Sequence, residues 1–109
     1  MIRVVICDDM PLLLQSLKIV IEGDPMLKVV GLAQNGYEAY ELCKKENPDI
    51  VLIDIKMPEC DGILGTKLIK SYNENIRVII LTTFSSDENV TAAIKNGADG
   101  YITKELSPV

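Results

Sequence analysis

Acidic side chains stand where two apolar runs of the sequence end. The run 2–7 is followed by the adjacent carboxylates of Asp8 and Asp9, and the run 50–53 is followed by Asp54. Carboxylate oxygens suit Mg²⁺ or Mn²⁺, and the chain contains no histidine that would favour zinc. If the three carboxylates lie together, their charges repel one another unless a cation is bound between them. The pattern predicts a divalent metal site, although one of the first two acids alone would also suit a helix cap.

Three roles are open to Asp54: metal ligand, nucleophile, or loop residue without a role. A carboxylate can attack phosphorus to form an acyl phosphate, and a bound divalent ion offsets the charge that collects during the transfer. Thr82 follows the run 78–81 and can donate a hydroxyl hydrogen bond. Lys104 follows the run 100–103 and supplies a positive charge for phosphoryl oxygens. Each signal alone is more often a solvated residue, but their joint placement favours phosphoryl chemistry.

Short apolar runs alternate with helical patterns along the whole chain. The predicted strands are 2–7, 28–33, 50–53, 76–81 and 100–103, and the predicted helices are 11–22, 37–46, 63–72 and 85–96. This alternation predicts an α/β fold with a doubly wound, five-stranded parallel sheet. The carboxyl ends of the strands then share one edge, where ligands bind, so the polar residues described above gather there.

Composition narrows the class of protein. A net charge of −5 argues against direct nucleic-acid binding by these residues. Cys7, Cys43 and Cys60 show no metal-binding spacing and leave one cysteine unpaired, which predicts a reducing cytoplasm. The sequence has no apolar run of the roughly 20 residues that a membrane span needs, so no membrane partner is expected. A helix entry at 106–109 predicts a fragment that lacks most of its last helix.

Several motifs occur in one order over essentially all 109 residues. They are Asp8-Asp9, Asp54 followed by Met57-Pro58 and Asp61-Gly62, Thr82, and Tyr101 followed by Lys104. This set resembles the receiver domain of response regulators in two-component signalling. The segments 81–90 and 97–104 are similar to receivers joined to a LuxR-type (NarL/FixJ) helix-turn-helix domain.

The resemblance implies a phosphoacceptor and a metal site. Asp54 would accept the phosphoryl group. Asp9, Asp54 and the carbonyl of Lys56 would bind Mg²⁺, for which Mn²⁺ can substitute, and Asp8 would assist through water.

The resemblance also implies a switch. Lys104 would contact the phosphoryl group, and Thr82 and Tyr101 would form the pair that rearranges on phosphorylation. The strand order would be 2-1-3-4-5, as in flavodoxin-like folds.

The function implied is that of a cytoplasmic, phosphorylation-activated regulatory domain that controls transcription. A sensor histidine kinase would be the phosphoryl donor, and phosphorylation would favour a homodimer. DNA would be contacted only by a C-terminal helix-turn-helix output domain outside residues 1–109. The domain would catalyse its own phosphorylation and dephosphorylation but would not be an enzyme acting on a separate substrate.

Two alternatives are weaker. A Mg²⁺-dependent phosphohydrolase with an aspartyl nucleophile commonly has a second acid two residues later, where this chain has Lys56, and a cap insertion that this chain lacks. An FMN-binding module needs a first loop that cradles phosphate, whereas Asp8 and Asp9 would repel it. The first helix carries more apolar residues than a core-facing stripe needs, and the excess suits either a cover by the last helix or a partner surface.

Overall fold

Strands and helices alternate through the computed structural model, which describes residues 1–82 and 88–103. The elements are β1 (Ile2–Cys7), α1 (Pro11–Glu22), β2 (Leu27–Ala33), α2 (Gly36–Glu46), β3 (Ile50–Asp54), α3 (Gly62–Tyr72), β4 (Arg77–Thr82), α4 (Glu88–Lys95) and β5 (Gly100–Thr103). The predicted start of the fourth helix at 85–87 and the predicted helix entry at 106–109 lie outside the described residues.

The five strands form one parallel sheet in the order β2-β1-β3-β4-β5. The predicted fold class and strand order are therefore confirmed. Most predicted bounds of the described elements are correct to within one residue. The largest functional consequence is at β3, which extends to Asp54 and so places that carboxylate in the sheet instead of in the following loop.

Alternate side chains of the central strands enter two separate cores. Val5 and Cys7 of β1 pack into the larger core, which α2, α3 and α4 cover, while Val4 and Ile6 face the smaller core below α1. The period of two along a strand produces this division, and burial on both faces explains why the strand is apolar throughout.

The helices nearest the carboxyl edge begin at residues suited to starting helices. Pro11 opens α1 at the first helical position, where its missing N–H costs nothing. The side chain of Asn35 caps α2 by accepting the N–H of Glu38 at 3.0 Å. The side chain of Asp61 caps α3 by accepting the N–H of Leu64 at 2.9 Å. Each helix is thereby held at the loop that precedes it, and these loops surround the candidate site.

One side of α1 remains apolar and exposed. Leu12, Ile19 and Val20 are exposed, while Leu14 is buried in the smaller core and Leu17 and Ile21 pack against that core. A groove of about 240 Å³ runs between α1 and β5, where Leu17 and Ile102 are among the residues that line it. Within residues 1–82 and 88–103, no helix combines the length and the apolar character needed to cross a bilayer.

Candidate functional site

The register between β1 and β3 places two of the predicted acids side by side. Cys7 lies opposite Ile53 in the parallel ladder, so the next residue of each strand, Asp8 and Asp54, continues the same row. Asp8 also follows Val4 and Ile6 in the alternation of β1, and Asp54 follows Ile50 and Leu52 in β3, so both side chains leave the same face of the sheet. Sheet geometry alone thus brings together two carboxylates that are 46 positions apart in sequence.

Burial distinguishes the three acids. Asp8 is fully buried, Asp54 is 8% exposed, and Asp9 is exposed to solvent. Asp8 is fixed at both its backbone and its side chain: its N–H donates to the carbonyl of Ala33 at 3.0 Å, and its Oδ1 accepts the N–H of Met10, also at 3.0 Å. The turn into α1 therefore orients the Asp8 carboxylate towards the chain that follows it.

Carboxylate oxygens of Asp8, Asp9 and Asp54 all lie within 4.8 Å of one another. At this spacing a divalent cation would turn the mutual repulsion of the carboxylates into attraction, and the ligands are the hard oxygens that Mg²⁺ takes. The residues present therefore fit a Mg²⁺ site by both charge and ligand type. The structure places the three acids in one cluster, at the edge of the sheet where the sequence predicts a metal.

An open cavity of about 420 Å³ adjoins this cluster. Asp9 and Asp61 supply its acidic groups, and Lys56, Met57 and Pro58 are among its other lining residues. Lys56 is exposed and follows Asp54 by two positions, so the backbone of the loop passes close to the acids. The cavity is open to solvent and adjoins the cluster through Asp9.

A cavity of about 470 Å³ at the opposite edge of the sheet is less suited to this chemistry. Asp49 is the acidic residue among those that line it, with Arg77 as the basic one. The Asp49 carboxylate already accepts the backbone N–H of Arg3 at 2.8 Å. A single engaged carboxylate does not make a divalent site, so the smaller cavity beside the acidic cluster is the candidate site.

Gly62 keeps the loop after β3 tight against the strand. Its N–H donates to the carbonyl of Ile55 at 2.8 Å, and a Cβ added at this glycine would lie 2.2 Å from the carbonyl oxygen of Asp54. No other residue type fits that space without moving the backbone that carries Asp54. The Asp-Gly motif of the sequence thus closes the loop at the site and caps the helix after it.

Sulfur atoms lie beneath the acidic cluster. The thiol of Cys7 donates to the carbonyl of Asn35 at 3.2 Å and lies 3.5 Å from the sulfur of Met57. Burial raises the pKa of the Cys7 thiol far above its ordinary range, and the nearby charges of Asp8 and Asp54 raise it further. The thiol therefore stays protonated and packs as an apolar group with one hydrogen bond.

The predicted switch residues lie on the two strands at one side of the site. Thr82, at the end of β4, is buried and lies opposite Thr103 of β5. Tyr101 lies opposite Ile80 and is 46% exposed, so its ring has an outward position in this structure. Lys104, the predicted phosphoryl contact, lies outside the described residues.

Sequence reasoning missed the contribution of the turn between β2 and α2. Asn35 and Gly36 form this turn, and the N–H of Gly36 donates to the carbonyl of Cys60 in the loop after β3, at 2.8 Å. The pair Asn-Gly signals a turn in any sequence. Nothing in the local pattern could reveal its long-range contact with a loop 24 positions away.

Comparison with known proteins gives consistent matches. The sequence matches the family of the response regulator receiver domain over residues 4–109. It is 40% identical over 107 residues to the transcriptional regulatory protein LnrK of Bacillus subtilis (strain 168), a match that covers 98% of this chain and 49% of LnrK. The chain spans about half the length of the transcriptional regulators that it matches.

Solved structures agree with the sequence matches. The response regulator domain of Thermotoga maritima CheB superposes with a TM-score of 0.90 and 35% identity, covering 99% of this chain and 81% of that one. A two-component response regulator of the LuxR family from Aurantimonas sp. SI85-9A1 gives a TM-score of 0.90 and 33% identity, covering 95% of this chain and 74% of that one.

Proposed function

Because the chain belongs to the receiver domain family of two-component response regulators, we propose that Asp54 accepts a phosphoryl group from a sensor histidine kinase. The family and the likeness to LuxR-type regulators agree with the motifs of the sequence. The observation that carries the proposal is the cluster of Asp8, Asp9 and Asp54 within 4.8 Å at the carboxyl edge of the sheet. In the transfer, a bond forms between an oxygen of Asp54 and phosphorus as the bond from phosphorus to the donor breaks.

Burial supports different roles for the three acids. Asp8 is buried and its Oδ1 accepts the N–H of Met10, and we assign it the supporting role of acting on the metal through water. Asp9 is exposed and can bind the ion directly, together with Asp54 and the carbonyl of Lys56. When bound, Mg²⁺ or Mn²⁺ supplies positive charge that offsets the negative charge gathered during phosphoryl transfer. Asp54, the last residue of β3, is then the acid to which we assign the reaction with phosphorus.

Residues on the strands beyond Asp54, β4 and β5, would respond to phosphorylation. Asp54 lies opposite Leu81 in the β3–β4 ladder, and Thr82 is the next residue along β4. We expect the Thr82 hydroxyl to donate a hydrogen bond to the new phosphoryl oxygens. Lys104 follows β5, the next strand, and would add a positive charge. If Thr82 moves towards the phosphoryl group, space opens into which the exposed ring of Tyr101 can turn.

A receiver domain is a regulatory module and not a conventional enzyme. The proposed chemistry is confined to Asp54, which would be phosphorylated and then dephosphorylated within the domain. The phosphohydrolase alternative is not favoured, since the family match covers residues 4–109 and Lys56 stands where a common second acid is expected.

The function of the whole protein is proposed from the proteins that this chain resembles and from its exposed and buried side chains. Transcriptional regulators about twice as long support a helix-turn-helix output domain through which DNA would be bound. The exposed apolar side of α1 suits either an intramolecular cover or a phosphorylation-dependent homodimer. Three unpaired, buried cysteines support a cytoplasmic location.

The proposed acceptor can be tested by intact mass spectrometry after incubation with Mg²⁺ and acetyl phosphate. The wild-type chain should gain one phosphoryl adduct, which Asp54→Asn should abolish. Asp61→Asn is the matched control, because Asp61 lines the same cavity and asparagine caps a helix equally well. An adduct that survives in Asp54→Asn, or one that is lost in Asp61→Asn alone, would assign the acceptor elsewhere.

A further inference from the structure

The turn between β2 and α2 is joined directly to the loop that passes the acidic cluster. We call residues 34–36 the β2–α2 turn and residues 55–61 the metal-side loop. The N–H of Gly36 donates to the carbonyl of Cys60 at 2.8 Å. Because this N–H belongs to the first residue of α2, no carbonyl within the helix can accept it. The metal-side loop therefore supplies the acceptor for an N–H that has no partner within the helix.

Close packing reinforces this hydrogen bond. A Cβ added at Gly36 would lie 2.6 Å from Sγ of Cys60, 2.8 Å from the carbonyl oxygen of Asp61 and 3.0 Å from the Cα of Gly65. Two of these three neighbours are backbone atoms, which cannot rotate away as the end of a side chain can. Glycine at this position therefore sets how closely the metal-side loop approaches the turn.

The same turn contacts the strand end that carries Asp8. The thiol of Cys7, the residue before Asp8, donates to the carbonyl of Asn35 at 3.2 Å and contacts Met57 of the metal-side loop. The Asn35 side chain is itself held by capping α2. The β2–α2 turn therefore contacts both the end of β1, which Asp8 follows, and the metal-side loop, which follows Asp54.

One residue of the metal-side loop has a strained backbone conformation. Glu59 has a φ of 68°, which a residue with a side chain rarely adopts. Such a conformation persists when the surrounding structure holds it in place. The neighbouring Cys60 is bonded to the turn, and Nδ2 of Asn35 lies 3.5 Å from Oε2 of Glu59. The β2–α2 turn thus contacts both the strained residue and the residue after it.

We propose that Gly36 is a positioning residue for the metal site, acting through Cys60 to hold the metal-side loop at the distance from Asp8, Asp9 and Asp54 at which its backbone can bind Mg²⁺. The inference rests on the proposed function, since it assumes that this cluster takes the ion. Partners that orient metal ligands without touching the ion typically contribute 10–100-fold to metal affinity. The expected contribution of Gly36 is about 10-fold in the Kd for Mg²⁺.

Gly36→Ala tests this role by titrating MgCl₂ into the ¹⁵N-labelled chain and following the amide signals of Asp9 and Asp54. The Kd should rise about 10-fold, because the new methyl group pushes the loop outwards. Gly31→Ala is the matched control: its Cβ would lie 3.0 Å from Cδ1 of Leu42, so it disturbs the packing of α2 on β2 without touching the loop. The control should keep the wild-type Kd within about twofold even if its melting temperature falls.

A variant-free measurement covers the case in which Gly36→Ala does not fold. If the turn supports the metal site, linkage requires Mg²⁺ to strengthen the turn in return. Hydrogen exchange at the Gly36 amide of the wild type should slow on Mg²⁺ addition by more than exchange at the Asn47 amide, which donates to Cys43 at the far end of α2.

The outcomes separate the two proposals. A folded Gly36→Ala chain with the wild-type Kd, or equal slowing of exchange at both amides, would overturn the positioning role while leaving the proposed function standing. Mg²⁺-dependent shifts that are absent from the wild type would overturn the metal-dependent function itself, and the positioning role with it.

Discussion

Replacing Asp99 with asparagine should lower the free energy of unfolding by about 2 kcal/mol at pH 7. Asp99 precedes β5, and its Oδ2 accepts Nζ of Lys70 on α3 at 2.7 Å and the N–H of Val78 on β4 at 2.9 Å. One carboxylate therefore ties together a helix and two strands. Asparagine keeps the shape of the side chain but removes its charge.

The magnitude follows from the two bonds to Oδ2. A hydrogen bond to a charged group contributes about 1.5–3 kcal/mol and a neutral one about 0.5–1.5 kcal/mol, so each bond weakens by about 1 kcal/mol. The Lys70 side chain is only 14% exposed, which limits its compensation by water. Arg77 lies 3.4 Å from Oδ1 but is 67% exposed, so its contribution is neglected.

The loss should depend on pH in a defined direction. Burial by itself raises the pKa of Asp99, but the hydrogen bonds from Lys70 and Val78 and the charges of Lys70 and Arg77 together lower it below its ordinary value of 3.8. A carboxyl group whose pKa is lower in the folded state stabilises the fold above its unfolded pKa, and this contribution is lost as the pH falls through the folded pKa. The difference between wild type and Asp99→Asn should be full at pH 7 and should shrink below about pH 4.

Urea unfolding followed by circular dichroism from pH 7 to pH 3 measures this difference, and the melting temperature at pH 7 should fall by roughly 10 °C. Asp49→Asn is the control, because Asp49 also precedes a strand and accepts a backbone N–H, that of Arg3, but it belongs to none of the ion pairs among the described residues. Equal losses in the two variants, or a loss in Asp99→Asn that is as large at pH 3 as at pH 7, would refute the reasoning.

Three further substitutions test other parts of the structure. Gly62→Ala should cost more than about 3 kcal/mol in the free energy of unfolding, because its Cβ would lie 2.2 Å from the Asp54 carbonyl oxygen; a melting temperature within a few degrees of wild type would contradict this. Thr66→Val should cost about 1 kcal/mol in urea unfolding, since the buried hydroxyl donates to the Gly62 carbonyl at 2.6 Å; a variant as stable as wild type would make that bond dispensable. Tyr101→Ala should change stability by less than about 1 kcal/mol, because the ring is half exposed, yet it should weaken phosphorylation-dependent association of the whole protein in analytical ultracentrifugation; unchanged association would exclude the aromatic switch.

The elements of the fold could be predicted because their signals are local. Apolar runs predict the strands, and the helical patterns between them predict the helices. Gly97, two residues after α4, adopts a φ of 111°, which suits glycine. Because parallel strands end at the same edge of the sheet, the proximity of Asp8 and Asp54 could be predicted without knowing any side-chain contact. Even so, the sequence could not tell which of Asp8 and Asp9 is buried, because that depends on how the chain turns into α1.

The remaining features depend on contacts between distant segments. The register of β1 and β2 shifts between Val4 and Val5, which no pattern in either strand signals. The bond from Gly36 to Cys60 and the ion pair of Lys70 with Asp99 each join residues more than 20 positions apart. Such pairs become visible only when the packing of helices on the sheet is known.

The rates at which the three buried cysteines are alkylated can measure how often parts of the domain open. Cys7, Cys43 and Cys60 are at most 1% exposed, and burial raises the pKa of the Cys43 thiol to about 12. A maleimide at neutral pH therefore meets almost no accessible thiolate, and alkylation must wait for the surrounding structure to open. The rate at Cys60 would time the opening of the metal-side loop, and the rate at Cys43 would time the lifting of α2 from the sheet. Peptide mass mapping of the alkylated chain could thus follow both movements in one sample, with no introduced label.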